Sequence, residues 1–575
     1  MAPRWLILLL VVSLLLACLL TSCSCGDDDD DDNDDNDSDD DDTDDDDHDD
    51  DILDDDDDDA PTGPPLWGPV DMNGDGALEY LYLETNEDAG VTYFAFEVRS
   101  LADDTVVWSD SYSEENATLQ VALADFDADG AYEIALAFNF FPGKDTPYKS
   151  RAEVLDGNDG FASAFATGEL EGVHLTLYAN RDWNRDGLPE LCLQAAPMAG
   201  GDAWLRFYDG QDDYALAAEI TGGAFTVTGV VRDDLWGPAD MDGDGADDYL
   251  YLDKVWEKAE WYYDLQVRRA ADHTVIKQAQ LPVGDGTMAA EAADLDLDGT
   301  TELILATNYT IEARGKATSY EGKVEVLDGN EDFNATFTTG LIDDYWLYPQ
   351  GDWDFDRDGL PELMVQAVPH QGRDTLLRFY EASSGYELIK EIAGRNASLV
   401  GIEVDSLRRP PNVNDDSNAE YVLIEKEYVA DEWVYTITAA HTKYDVVAWE
   451  QVYAVTTGSL AVALADLDED TVSEIVVTVY DTADAGGASV DVWDGNDDFA
   501  QVFHQDFAAG YTLTTALEWD FDRDNLPEMR LTAAPLAAVD DFVRFYEPLS
   551  TYEEVRRFSV DPGRTVDIIG AKKAF

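Results

Sequence analysis

Short runs of alternating or near-continuous apolar residues recur along most of this chain. "YLYLE", "IALAF", "LILAT" and "IVVTV" are the clearest, and stretches such as "YFAFEVRS" and "TVVWSD" follow them. Each run spans a handful of residues, favours β-branched and aromatic side chains, and ends at Gly, Asp or Asn. That is the signature of β-strands joined by tight turns, and helical periodicity is hardly visible anywhere. The pattern is also periodic at a larger scale. A short acidic loop precedes each leading run, and successive loops start 54 to 60 residues apart. A unit of three or four short strands, repeated radially, predicts a β-propeller in which each unit is one blade and buries its faces against its neighbours.

Nine units are present. A longer period overlies them: "LWGPVDMNGDG" and "LWGPADMDGDG" begin 169 residues apart, "VLDGNDGF", "VLDGNEDF" and "VWDGNDDF" follow the second loop of each triplet, and "LRFYDG", "LRFYEA" and "VRFYEP" follow the third. The chain reads as a three-blade block triplicated. "FTVTGVV" precedes the second triplet and "ASLVGIEV" the third, but the first starts at Leu66 with no such strand. The leftover "GRTVDIIGA" near the C-terminus matches the missing piece, so Thr565–Ile569 is expected to complete the first blade and lock the ring. Nine blades exceed the usual range of about four to eight. Two smaller rings are the alternative, against which the leftover strand argues.

The loops themselves carry the candidate chemistry. They place side-chain oxygens at the first, third, fifth and ninth positions: Asp71, Asn73, Asp75 and Glu79; Asp125, Asp127, Asp129 and Glu133; Asp182, Asn184, Asp186 and Glu190; Asp240, Asp242, Asp244 and Asp248. The series continues with Asp294, Asp296, Asp298 and Glu302; Asp354, Asp356, Asp358 and Glu362; Asp466, Asp468, Asp470 and Glu474; Asp520, Asp522, Asp524 and Glu528. Carboxylates so spaced on a tight loop can converge on one point, where a backbone carbonyl near the seventh position joins them. The resulting oxygen cage suits Ca²⁺, which takes about six to eight oxygen ligands. Glycine at the sixth position supplies a left-handed turn, and Asn525 is the next most tolerant residue for it. An EF-hand begins alike but needs a bidentate acid at the twelfth position and a following helix, so it is rejected. "NVNDDSNAE" from Asn412 has amides in two acidic places and Ser417 for glycine, and is expected to bind weakly or not at all. Thr471 stands in the glycine place of the Asp466 loop, which makes that loop suspect too.

This grammar, D-x-[DN]-x-[DN]-G-x-x-[DE] before a strand, resembles the FG-GAP/VCBS repeats of integrin α-subunit propellers and many bacterial surface proteins. The resemblance covers about residues 66–575. It implies structural calcium and a fold that often serves adhesion or ligand recognition. In most copies here the ninth position is Glu where integrin versions carry Asp, and "LWGP" is the nearest approach to the FG and GAP elements.

Charge narrows the partners. The chain has 126 acidic and 34 basic residues, a formal charge of -92. Phosphates would be repelled, so nucleic acid is excluded as a partner. Residues 27–59 hold 26 Asp in 33 positions and read as a self-repelling linker. Before it, "MAPRWLILLLVVSLLLACLLTSC" has the form of an export signal. "LTSC" resembles a bacterial lipobox, with Cys23 as the lipidated residue; "LLAC", ending at Cys18, is a second candidate, and an uncleaved anchor is the other reading. The expected organisation is therefore a signal peptide over 1–23, an acidic linker over 24–65 and a propeller over 66–575. The expected place is the bacterial cell envelope, lipid-anchored to a membrane, as a monomer that binds a protein or glycan ligand.

Catalytic constellations are not evident. His174, His273, His370, His441 and His504 are scattered without metal-ligand spacing, and Cys192 inside "LPELCLQ" reads as a small core residue. Trp183, Trp353 and Trp519 are read as one repeat position that packs between blades. The less periodic Trp256, Trp261, Tyr262, Tyr263, Trp433 and Tyr435 are candidates for ligand recognition. The sequons at Asn116, Asn308, Asn334 and Asn396 are read as chance. A calcium-binding scaffold is the leading reading, and a polysaccharide-active enzyme on a similar propeller is the alternative.

Overall fold

A computed structural model describes residues 66–572 except 142–146, 224, 233, 258–259, 312–318, 371, 405–406, 415, 417, 482–486, 497–498, 508–510, 536–539 and 550. The signal and linker segments, Cys23 among them, lie outside the described residues. Nine small antiparallel sheets follow one another along the chain, and each is one blade of a β-propeller. Blade 2 shows the pattern: Ala117–Ala124, Glu133–Phe140, Lys149–Asp156 and Ala162–Ala166 pair in chain order. First strands of neighbouring blades touch one another, so they line the centre, and the exposed fourth strands form the rim.

The second strands explain the apolar runs. Within Glu133–Phe140, Ile134 and Leu136 join a cluster with blade 1 residues such as Leu81 and Phe96, whereas Ala135 and Ala137 join one with Leu175 and Leu191 of blade 3. Alternate residues thus serve two different interfaces, so the strand is apolar on both faces. Each of the nine hydrophobic clusters spans one pair of adjacent blades, including blades 9 and 1. Asn139 adds a buried latch, exchanging hydrogen bonds with the backbone of Leu175 at 2.9 and 2.8 Å, and Asn308 does the same with Leu347 at 3.0 and 2.7 Å. The sequon at Asn308 is therefore inaccessible.

Ring closure follows the sequence expectation. Arg564–Ile569 pairs with Glu79–Asp88 as the first strand of blade 1, with Ile569 opposite Leu81 and Arg564 opposite Asn86. Ala571–Lys572 then pairs with Trp67–Gly68, and Trp67 lies parallel to Trp519 of blade 9. Blades 3 and 6 carry the same side hairpin from a continuous chain, Val230–Arg232 with Leu235–Gly237 and Ile402–Val404 with Leu407–Arg409. The two ends of the described chain thus meet inside a hairpin that elsewhere is unbroken.

One reading needs correction. Trp183 follows the first acid of its loop, whereas Trp353 and Trp519 precede theirs, so they occupy two repeat positions. All three are buried as expected, and Trp183 stacks near Phe207 of its own blade and Tyr249 of the next. Arg181 takes the place of the missing tryptophan, with its guanidinium 4.7 Å from the Trp236 ring. Cys192 is fully buried in Glu190–Pro197, and desolvation pushes its thiol up to about 12. Among the described residues, no helix is long and apolar enough to cross a membrane.

Candidate metal centres

Each acidic loop leads into the second strand of a blade, directly from the first strand in blades 2, 3, 5, 6, 8 and 9 and from the side hairpin in blades 1, 4 and 7, and a shared hydrogen-bond scheme folds it. The second residue is apolar in all nine copies and sinks into the core: Met72, Phe126, Trp183, Met241, Leu295, Phe355, Val413, Leu467 and Phe521. Its backbone N–H donates to one oxygen of the ninth residue, at 3.0 Å for Glu79, 2.7 Å for Glu133 and Glu302, 2.6 Å for Glu474 and 3.3 Å for Asp248. Glu190, Glu362, Glu420 and Glu528 accept the same bond. The first acid accepts from the sixth backbone N–H, as in Gly76 to Asp71 at 2.8 Å and Gly299 to Asp294 at 3.0 Å. The fifth accepts from the seventh, as in Ala131 to Asp129 at 2.9 Å and Leu360 to Asp358 at 2.9 Å.

In several loops this scheme occupies one oxygen of a carboxylate and leaves its twin without a partner. Asp125, Asp294, Asp354, Asp468 and Asp520 each hold a buried Oδ1 that makes no hydrogen bond. Glu133, Glu302, Glu362 and Glu474 each hold such an Oε1. In blades 2, 5 and 6 all four carboxylates of the loop bring a ligand atom within 4.8 Å of one another. The residues Asp71, Asn73, Asp75 and Glu79; Asp182, Asn184, Asp186 and Glu190; and Asp520, Asp522, Asp524 and Glu528 fold by the same bonds.

Such a cage is costly when empty. The ninth residues are at most 2% exposed. Desolvation, with the neighbouring acids adding to it, lifts Glu79, Glu190 and Asp248 to about 7 and Glu474 and Glu528 to about 8. Glu133, Glu302 and Glu362 reach about 9. Burial also raises Asp294 and Asp468 to about 6. Buried carboxylates this crowded are either protonated or matched by a cation. The donor set is all oxygen, hard and multiply charged, and fits a divalent ion.

Blade 4 differs. Arg269, directly across the strand pair from Asp248, sends its guanidinium to Asp244 at 2.5 and 2.7 Å, to Asp242 at 3.5 Å and to Asp248 at 3.4 Å. Asp240, Asp242 and Asp248 still converge, but Arg269 already supplies positive charge there and draws the Asp244 carboxyl below its ordinary value. Nothing in the loop's own sequence signals this.

Sequence reasoning missed three further features. Register sets an acid across from the ninth residue in six blades: Asp156, Asp209, Asp328, Glu381, Asp494 and Glu547. The "DGN" and "RFYD" segments carried that signal but stood out in the sequence only as markers of the longer period. The Asn of "DGN" also orients the fifth carboxylate: Asn158 Nδ2 donates to Asp129 at 2.5 Å and Asn330 Nδ2 to Asp298 at 2.7 Å. Finally, the fourth loop residue is left-handed as well as the sixth, at φ 61° for Ala128, 54° for Leu297 and 64° for Arg357. The Asp466 loop keeps the fold despite Thr471, which adopts φ 74° and donates to Asp466 at 2.9 Å as glycine does. Asn525 fulfils its role at φ 68°. Ser417 lies outside the described residues.

The recognition candidates lie on hairpins at the opposite end of the second strands. Trp256 is 58% exposed and meets Trp261 edge-on at 5.1 Å, with Lys254 Nζ 5.5 Å from both Trp261 and Tyr263. Tyr262 is half-buried beside them and Tyr435 is buried. Blade 7 repeats the arrangement with Tyr428, Trp433 and Lys426, whose Nζ is 4.4 Å from the Trp433 ring.

No family model matches the chain, and no curated protein matches it. Solved structures similar to it include the crystal structure of the eukaryotic initiation factor, at 8% identity and TM-score 0.32, over 73% of this chain and 96% of that one. Porphyromonas gingivalis dipeptidyl peptidase 4 matches at 11% identity and TM-score 0.35, over 82% and 65%. Chaetomium thermophilum Sqt1 bound to the N-terminus of the ribosomal protein L10 matches at 11% identity and TM-score 0.28, over 79% and 97%. Likenesses this distant say nothing of function. The chain's own nine sheets define the class, a nine-bladed β-propeller with acidic groups that can hold metal ions.

Proposed function

We propose that this protein is a calcium-stabilised propeller of the FG-GAP/VCBS kind, displayed on the bacterial cell envelope as a binding scaffold for a protein or glycan. One observation carries the calcium reading: ninth-position carboxylates that are buried, lifted and left with an unpartnered oxygen. Filling the cages with Ca²⁺ lets these groups ionise and ties the start of each second strand to its loop. Lipidation at Cys23 and the acidic linker supply the tether; this part of the proposal rests on sequence alone.

The ligand face is the end of the ring opposite the cages, where Trp256 with Trp261 and Tyr428 with Trp433 present aromatic surface beside a lysine. Flat aromatic faces with an adjacent cation suit sugar rings or peptide side chains. Two measurements test the proposal. Metal analysis of protein equilibrated in millimolar calcium should find several ions per chain, and empty loops would overturn it. A glycan and peptide array should retain a ligand that the Trp256→Ala/Trp433→Ala variant loses. Shortened glycan chains in place of retained ones would instead support the polysaccharide-active reading.

A further inference from the structure

The residue across from the ninth position separates the first blade of each triplet from the other two. It is Ser100 in blade 1, Arg269 in blade 4 and His441 in blade 7. In blade 7 this change coincides with a second. Asn412 stands where the other eight loops carry their first acid and Asn414 where six of them carry a third, while Asp416 and Glu420 remain.

His441 sits between those two carboxylates. Its Nδ1 is 2.8 Å from Glu420 Oε1 and its Nε2 is 3.3 Å from Asp416 Oδ2. Glu420 is fully buried, and its Oε2 accepts from the Val413 backbone at 3.1 Å. Its Oε1 has no partner other than His441 Nδ1, and the two buried atoms face each other. With the imidazole neutral and its Nδ1 lone pair free, a cation can take the place of the proton between them. One ligand atom each from Asp416, Glu420 and His441 lies within 4.8 Å of the others. An imidazole gives one nitrogen to a given ion, so the separation that counts beside Glu420 is the 2.8 Å from Nδ1 to Oε1, against about 3.3 Å between two ligands of a tetrahedral zinc ion.

We propose that the blade 7 loop is a site for a divalent transition ion of the zinc class, with His441, Glu420 and Asp416 as its protein ligands. Replacing two hard carboxylates by amides and adding an imidazole moves the donor set from calcium's preference toward zinc's. Three protein ligands leave room for water. The equivalent Arg269 has no lone pair to offer, so blade 4 cannot share this chemistry. The proposal does not depend on calcium in the other loops.

The test uses the purified full chain, stripped with chelator and returned to millimolar calcium. Cobalt(II) titrated into it should give visible ligand-field bands that saturate at one equivalent and are displaced by zinc. His441→Gln should abolish the bands and weaken zinc binding by roughly a hundredfold or more. His441→Arg, which copies the blade 4 residue, should do the same while the melting curve in calcium stays unchanged. X-ray absorption of the zinc-loaded wild-type protein should show a single imidazole in the ligand shell. Absence of stoichiometric cobalt binding in calcium, bands that survive both substitutions, or a shell of oxygen alone would overturn the assignment.

Discussion

Glu133→Gln is the sharpest probe of the cages because its effect should change sign with calcium. The glutamine keeps an oxygen to accept from the Phe126 backbone but removes one charge from a site 1% exposed. Burial lifts the Glu133 carboxyl from 4.5 to about 9, so the metal-free fold holds a proton that the unfolded chain releases above pH 4.5. The metal-free wild type is therefore most stable in acid, and the contribution of this group is lost as the pH rises toward 9. At pH 7 the gap from 4.5 is about 2.5 pH units, a penalty on the order of 3 kcal/mol that glutamine escapes. In chelator at pH 7 the variant should thus be more stable than wild type, by up to that amount. In millimolar calcium the order reverses, because the ion binds the charged form and the variant loses a ligand. Urea unfolding followed by tryptophan fluorescence, run in both conditions at pH 5 and pH 7, reads the difference directly. A variant equally destabilised with and without calcium would refute the reasoning.

Chelation of the wild type should lower its melting temperature, since each site at about twentyfold excess of calcium over Kd contributes about 1.8 kcal/mol. An unchanged melting curve would count against metal in the loops. Arg269→Gln should add one calcium ion per chain, or tighten one, in a calorimetric titration, because three carboxylates lose their internal partner. Ile568→Ala should cost about 2–5 kcal/mol, since Ile568 is 1% exposed and packs with Tyr80 and Phe558 across the closing interface. Unfolding at the wild-type denaturant midpoint would show that Arg564–Ile569 does not hold the ring.

The repeat, the strands and the closing segment were legible in the chain because each is written in local pattern. Position-two residues such as Met72 and Leu467 alternate with acids that must face the other way, and "GRTVDIIGA" copies the grammar of "FTVTGVV". The site was legible only as far as the loop itself. Asp156 and Asp328 reach it from the third strand, Arg269 and His441 arrive 21 residues after Asp248 and Glu420, and only strand register brings them together. Left-handed Leu297 and Arg357 gave no warning either, because their side chains do not favour that backbone and the loop's hydrogen bonds impose it.

The aromatic hairpins of blades 4 and 7 stand three blades apart in a ring of nine, a third of a turn from one another. Were these hairpins to bind ligand as proposed, a long or repeating one would be gripped twice by one molecule, and release would need both grips to open together. The strength of capture would then depend on how well the ligand's own repeat spans the disc, and short fragments would be held far more weakly than the polymer they come from.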